Sequence, residues 1–148
     1  MDLKLRLQDD IKTAMRGGDK LSLITLRMLS AAIKQREIDE RIVLDDAQVL
    51  AVVEKLIKQR REAATQYEAG NRTDLAAKEL AEIVLLQAYL PEPLSEAELD
   101  ALIGAALAET GAASIKDMGR IMAALKPDIQ GRADMTIVSA RVKGRLGA

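Results

Sequence analysis

Seven basic side chains stand between Ser114 and the end of a 148-residue chain: Lys116, Arg120, Lys126, Arg132, Arg141, Lys143 and Arg145. Only three acids, Asp117, Asp128 and Asp134, accompany them, so this segment carries +4. The remainder has 15 basic and 20 acidic residues and carries −5, which agrees with the net −1 of the whole. A basic end on an acidic body suggests an anionic partner, but on charge alone a solvated charged face is the first reading. Contacts from such residues to phosphate would give binding that falls steeply with salt. Aromatics make up 1% of the chain, only Tyr67 and Tyr89. The surface therefore suits phosphate and shape recognition of folded RNA, and does not suit stacking on single-stranded bases. The candidate contacts are Lys116, Arg120, Lys126, Arg132, Arg141 and Lys143, with Gly119 allowing close approach. Lys55, Lys58, Arg61 and Arg72 form a secondary basic surface.

Catalytic chemistry finds little material here. The chain has no histidine and no cysteine, so Ser-His-acid and Cys-His sites are excluded within it. Of the serines Ser22, Ser30, Ser95, Ser114 and Ser139, none sits in a glycine-rich elbow. No phosphate-binding loop or dinucleotide fingerprint occurs. Glu79 and Glu82 lie one helical turn apart and two such carboxylates can share a metal, but no third acid or histidine joins them. No catalytic residue, metal or cofactor is expected, and the chain is not expected to act as an enzyme by itself.

The elements that would position these residues read as helices. Apolar residues make up 49% and charged residues 30%, with no Phe or Trp. A core of Leu, Ile, Val, Met and Ala favours helix over sheet. The absence of cysteine fits a reducing compartment, and the expected location is the cytoplasm. No apolar run approaches the roughly 20 residues that span a bilayer, and no signal-peptide core follows Met1, so no membrane partner is expected.

Seven amphipathic periods follow one another. Asp2 caps the first, from about Leu3 to Arg16, and Gly17-Gly18 stop it. Asp19 opens the second, to about Glu40, with Leu21, Ile24, Met28, Leu29, Ala32 and Ile33 as its apolar set. Asp45 and Gln48 make a capping box for the third, which places Arg60 on its apolar stripe, as an edge residue that snorkels or as the partner of a buried acid. Thr73 caps the fourth, whose core is Leu80, Ile83, Val84 and Leu86. Pro91-Glu-Pro93 breaks the pattern and suggests a boundary between domains 1–91 and 92–148. Ser95 and Glu98 restart a helix that Gly111 closes. Ser114 opens the sixth, with the stripe Ile115, Met118, Met122 and Leu125, and Pro127 ends it. Gly131 supplies the sharp return, and Asp134 caps the seventh helix with Met135, Val138, Val142 and Leu146 inward. Gly119 is out of place, because glycine in an exposed helix costs about 1 kcal/mol against alanine. Either another helix or a ligand must approach that backbone closely.

These residues also resemble a known family. Asp117-Met-Gly119 with Met122, Lys126-Pro127, Gly131-Arg-Ala-Asp134 and Val142-Lys143 with Leu146 are similar to the GatB/YqeY family. Leu26-Arg-Met-Leu29, Lys58-Gln-Arg-Arg-Glu62, Tyr67, Gly70 with Arg72-Thr-Asp-Leu75, Glu79 with Glu82, and Tyr89-Leu-Pro91 resemble its stand-alone members. Gly144 departs from the pattern, where a longer polar residue is expected. The resemblance implies an all-α, multihelical protein with a four-helix N-terminal part and a small three-helix tail module. It implies kinship with the tail of the B subunit of the tRNA-dependent Asp/Glu amidotransferase, where the tail helps grip tRNA. It also carries a label of carbon–nitrogen ligase with glutamine as amide donor, but kinship of fold does not transfer catalysis. The expected function is a tRNA- or RNA-binding accessory, with a protein-interaction adaptor for a partner enzyme as the alternative.

Overall fold

Short polar side chains start most of the helices. The computed structural model describes residues 2–147 and contains seven α-helices, one 3-10 turn and no strand among them. They are α1 (Leu3–Gly17), α2 (Lys20–Glu40), α3 (Asp46–Ala69), α4 (Thr73–Gln87), α5 (Glu96–Thr110), α6 (Met118–Ile129) and α7 (Met135–Arg145). The protein is all-α, as the capped periods imply. Asp2, Asp19, Asp45, Ser95 and Asp134 each accept a backbone N–H at a helix start. Full capping boxes form at Asp45–Gln48 and Ser95–Glu98. Gly18 and Gly111 end α1 and α5 in the left-handed region.

The chain divides into two compact units, Met1–Leu90 and Pro91–Ala148. In the first, α1 packs on α2, α3 pairs extensively with α4, and α2 touches both α3 and α4. Leu29, Leu44, Val49, Val53 and Leu86 are fully buried among them. Each such side chain contributes about 1.5–3 kcal/mol by leaving water. The second unit has its own core, formed by Leu99, Ile103, Ile121, Leu125, Ile129, Val138 and Val142.

Arg60 sits deep in the first unit. It does not snorkel. Its Nε donates to Glu82 Oε2 at 2.8 Å, and both side chains are buried. Its Nη1 donates to the Leu56 carbonyl at 3.2 Å, and its Nη2 meets the sulfur of Met28. Glu82 is thereby engaged by a guanidinium instead of being free to share a metal with Glu79. The pair ties α3 to α4 and touches α2.

Other stripes are rotated from their expected places. Leu21, Ile24 and Met28 on α2 are exposed, while Thr25 and Leu26 turn inward. Thr25 Oγ1 has no hydrogen-bond partner among the described residues. On α4, Leu80 and Val84 are exposed, and Ala76 and Glu82 take the inner face beside Ile83 and Leu86. On α6 the buried residues are Ile121, Leu125 and Ile129, with Ile115 exposed before the helix. Thr73 is the first residue of α4 and not its cap; Arg72 precedes it with no side-chain cap. Pro127 does not end α6, which continues to Ile129. The ring removes one helical bond and crowds the preceding turn. Fully buried Ile129 and the Gln130 N–H to Lys126 carbonyl bond at 3.0 Å hold the last turn regardless.

The two ends of the first unit are fastened by polar contacts. The Leu3 N–H donates to Asp46 at 2.9 Å, and Lys4 pairs with Glu37 at 3.0 Å. The Glu37 carboxylate also accepts the Leu44 N–H at 2.8 Å, and this bond, with Lys4, holds its pKa below the usual range. Tyr89, buried, donates its hydroxyl to Asp10, and the Arg6 guanidinium lies 4.6 Å over its ring.

Two outcomes follow from these contacts. Glu82→Ala strands a buried guanidinium and should lower unfolding free energy by about 3–5 kcal/mol, while the paired replacement Arg60→Met with Glu82→Leu should recover most of that loss. Denaturant titration of the variants checks both. The second outcome concerns Tyr89, whose burial, and then its bond to Asp10, push the phenol well above its ordinary value. The folded pKa exceeds the unfolded one. The stabilisation is therefore complete below the ordinary tyrosine value of about 10 and is lost as pH rises above it. In a Tyr67→Phe background, Tyr89 phenolate absorbance should rise only together with loss of the helical circular dichroism signal.

Candidate nucleic-acid interface

The second unit is built around the turn between α6 and α7. Gly131 adopts φ of 75°, which a side-chain-bearing residue rarely takes, and this allows the chain to reverse. The Arg132 carbonyl accepts the Leu94 N–H at 2.9 Å, and Arg132 Nε donates to the Glu92 carbonyl at 2.8 Å. These two bonds tie the stretch before α5 to the turn. Asp134 then caps α7 through the Thr136 N–H at 2.8 Å.

The 3-10 turn Ile115–Asp117 leads into α6. The Asp117 carboxylate accepts N–H groups from Ala113 at 3.1 Å and Ser114 at 3.4 Å. Those bonds, aided by Arg120 at 3.0 Å, hold its pKa below the usual carboxylate range. The Ser95 N–H does the same for Glu98.

Arginines and lysines divide sharply here. Arg120 pairs with Asp117. Arg132 is bonded to Glu92. Arg141 bridges α7 to α5 through Asp100 at 2.9 Å and Glu96 at 3.2 Å. Arg145 donates to the Asp100 carbonyl at 3.1 Å. Lys116, Lys126 and Lys143 are exposed, with no acidic partner among the described residues. The acids on and near α5 also change the charge. The compact unit holds seven Lys/Arg against eight Asp/Glu, a net of −1, because Glu92, Glu96, Glu98, Asp100 and Glu109 offset the +4 of the last segment.

Gly119 lies exposed on α6, and a Cβ built there meets nothing within 4 Å. No helix packs against it. Lys126 follows seven residues later on the same helical face, about 10 Å along the axis. Exposed Ala123 lies between them. The result is an open, flat strip with a lysine at its end. In the first unit, Lys55, Lys58 and Arg61 are exposed along α3, whereas Arg72 pairs with Asp74 at 3.3 Å. Among the described residues no three acids gather as a metal cage. No described helix is long and apolar enough to cross a membrane.

Sequence reasoning missed the structural tasks of Arg132 and Arg141. The partners of Arg141 are Glu96 and Asp100, which lie one turn apart on α5.

Known proteins share this chain's pattern. A protein from Pyrenophora tritici-repentis named altered inheritance of mitochondria protein 41, mitochondrial, is 34% identical over 97% of this chain and 80% of its own length. Its namesake from Lachancea thermotolerans is 37% identical over 74% of the chain and 60% of its own length. That from Vanderwaltozyma polyspora is 39% identical over 58% of the chain and 47% of its own length. The chain thus spans between about half and four-fifths of these relatives. All three names carry the word mitochondrial, which overturns the cytoplasmic location expected from composition. Lack of cysteine shows only that no disulfide is needed, and it does not distinguish one reducing compartment from another. The family described as Yqey-like protein matches residues 4–146. The chain belongs to the YqeY-like protein family.

Proposed function

We propose that this protein is a non-catalytic accessory that contacts structured RNA of the tRNA kind through its C-terminal unit. The observation that carries the reading is the division of cations. Every arginine of the unit is held by an acid or a carbonyl, and Lys116, Lys126 and Lys143 are left over. Free lysines are point charges on flexible stems, suited to phosphate and indifferent to base sequence. The open backbone at Gly119 lets a sugar–phosphate chain approach the helix. Three contacts on a unit of net −1 give weak, salt-sensitive affinity, as befits an accessory that adds grip to a larger assembly. The link to amide transfer belongs to this proposal as association with that assembly, not as chemistry by this chain. Its residence, on the names of the relatives, is mitochondrial. A second reading, a protein adaptor, is favoured by an exposed apolar row on α2.

Two experiments test the RNA reading. Replacing Lys116, Lys126 and Lys143 with alanine should lower the logarithmic salt slope of tRNA binding by about 2, taking roughly 0.7 for each phosphate contact. The helical signal should be unchanged, because all three side chains are exposed. Equal affinity of wild type and variant would overturn the reading. Gly119→Ala should raise unfolding free energy by up to about 1 kcal/mol, since the new methyl meets only solvent. The same change should weaken tRNA binding, because the methyl stands where the sugar–phosphate chain approaches, and unfolding and binding are measured on one preparation.

A further inference from the structure

The outer face of α2 carries a second row, apolar except for Gln35. Leu21, Ile24, Met28, Ala31, Gln35 and Ile38 follow one another at steps of three, four, three, four and three, and all six are exposed. Ile24 is 56% and Ile38 70% exposed, so burial in this unit does not account for these two; Met28 at the middle of the row touches Arg60 with its sulfur and keeps the rest of its side chain at the surface. Alternating steps of three and four make the seam that a second helix packs against. The row runs about 26 Å along the helix at 1.5 Å per residue.

One flank of the row is uniformly basic. Lys20, Arg27 and Lys34 recur at steps of seven, at the flanking position where partner helices exchange charges. All three are exposed, and none has an acidic partner among the described residues; Arg27 meets only the sulfur of Met15, at 3.7 Å. The neighbouring charges of α2 are taken. Arg36 holds Glu40 at 2.6 Å, Glu37 holds Lys4, and Asp39 accepts from Gln35 at 2.8 Å. An apolar seam with one unpaired basic flank fits a helix with an apolar seam and an acidic flank. A second copy fits poorly, because two-fold antiparallel pairing sets Lys20, Arg27 and Lys34 against their own like charges.

We infer that the exposed face of α2 docks an amphipathic helix of a partner protein whose flank is acidic. Binding buries Leu21, Ile24, Met28 and Ile38 and pairs the three cations. The surface belongs to the first unit and does not depend on the RNA reading of the second.

The probes are two synthetic helices of about 20 residues, long enough to cover the row. They share one Leu/Ile seam and carry either Glu or Lys at every flanking position. The full-length chain should bind the Glu peptide, and the Lys peptide roughly tenfold more weakly or worse. Exchanging Lys20, Arg27 and Lys34 for Glu should reverse that order. Ile24→Asp with Ile38→Asp should abolish binding of either peptide while the helical signal stays as in wild type. Equal binding of the two peptides, an unchanged order after charge exchange, or binding of neither peptide would overturn the inference. So would a dimer in sedimentation that the Ile24→Asp, Ile38→Asp variant dissolves, since the occupant would then be a second copy.

Discussion

A buried guanidinium–carboxylate pair constrains the first unit more than any other contact. A core without Phe or Trp is made of short aliphatic side chains, and these slide past one another more easily than rings do. Arg60 and Glu82 remove that freedom. The pair stabilises little in net terms, because desolvation offsets most of its attraction, yet a shifted register would leave a bare charge in the core. Arg60 must find Glu82 on α4, the Leu56 carbonyl on its own helix and Met28 on α2. Three helices are thereby fixed in rotation. Met28 reaches Arg60 from the edge of the exposed α2 face that also carries Leu21, Ile24 and Ile38. The exposed row on α2 is thus linked to the buried pair on α3 and α4.

The second unit solves a different problem. Its three helices are short, and their ends lie near a tight turn. Carboxylates and arginines act there as fasteners: Asp117 gathers three donors, Arg132 holds the entry to α5, and Arg141 joins α7 to Glu96 and Asp100. The lysines have no such work. This separation gives the proposed interface its composition. It also explains why a unit that looks basic along its last helices is close to neutral when α5 is counted.

Helix starts and stops were legible in the sequence because they depend on one or two adjacent residues. Asp2, Asp19, Asp45, Ser95 and Asp134 cap helices, and Gly18, Gly111 and Gly131 take positive φ. Which face of a helix is buried depends on residues far along the chain, and there the periodicity was ambiguous. On α2 the apolar residues cover more than half the circumference, so Leu21 and Ile24 looked as inward as Leu29. Arg60 belonged on the stripe but needed Glu82, 22 residues away, to make its burial tolerable. Pro127 marks a helix end by local rules, and a fully buried Ile129 overrides them. Gly119 was legible as an oddity, and the absence of any neighbour came only from the fold. The candidate site was legible as a set of charges. Its sorting into fasteners and free lysines was not, because three of the four arginines, Arg132, Arg141 and Arg145, find their partners some 40 residues earlier in the chain.

Labour in the C-terminal unit is divided: arginines fasten its helices, and the unpaired lysines, with the open strip at Gly119, form the proposed RNA-binding face. A titration of the full chain with a folded tRNA, followed residue by residue by amide NMR at low salt, tests this most directly. The account predicts shifts concentrated at Lys116, Gly119, Ala123, Lys126 and Lys143, with the amides of acidic α5 and of the first unit little changed. No shift at the lowest salt, or shifts centred on α2 or α5 instead, would contradict it.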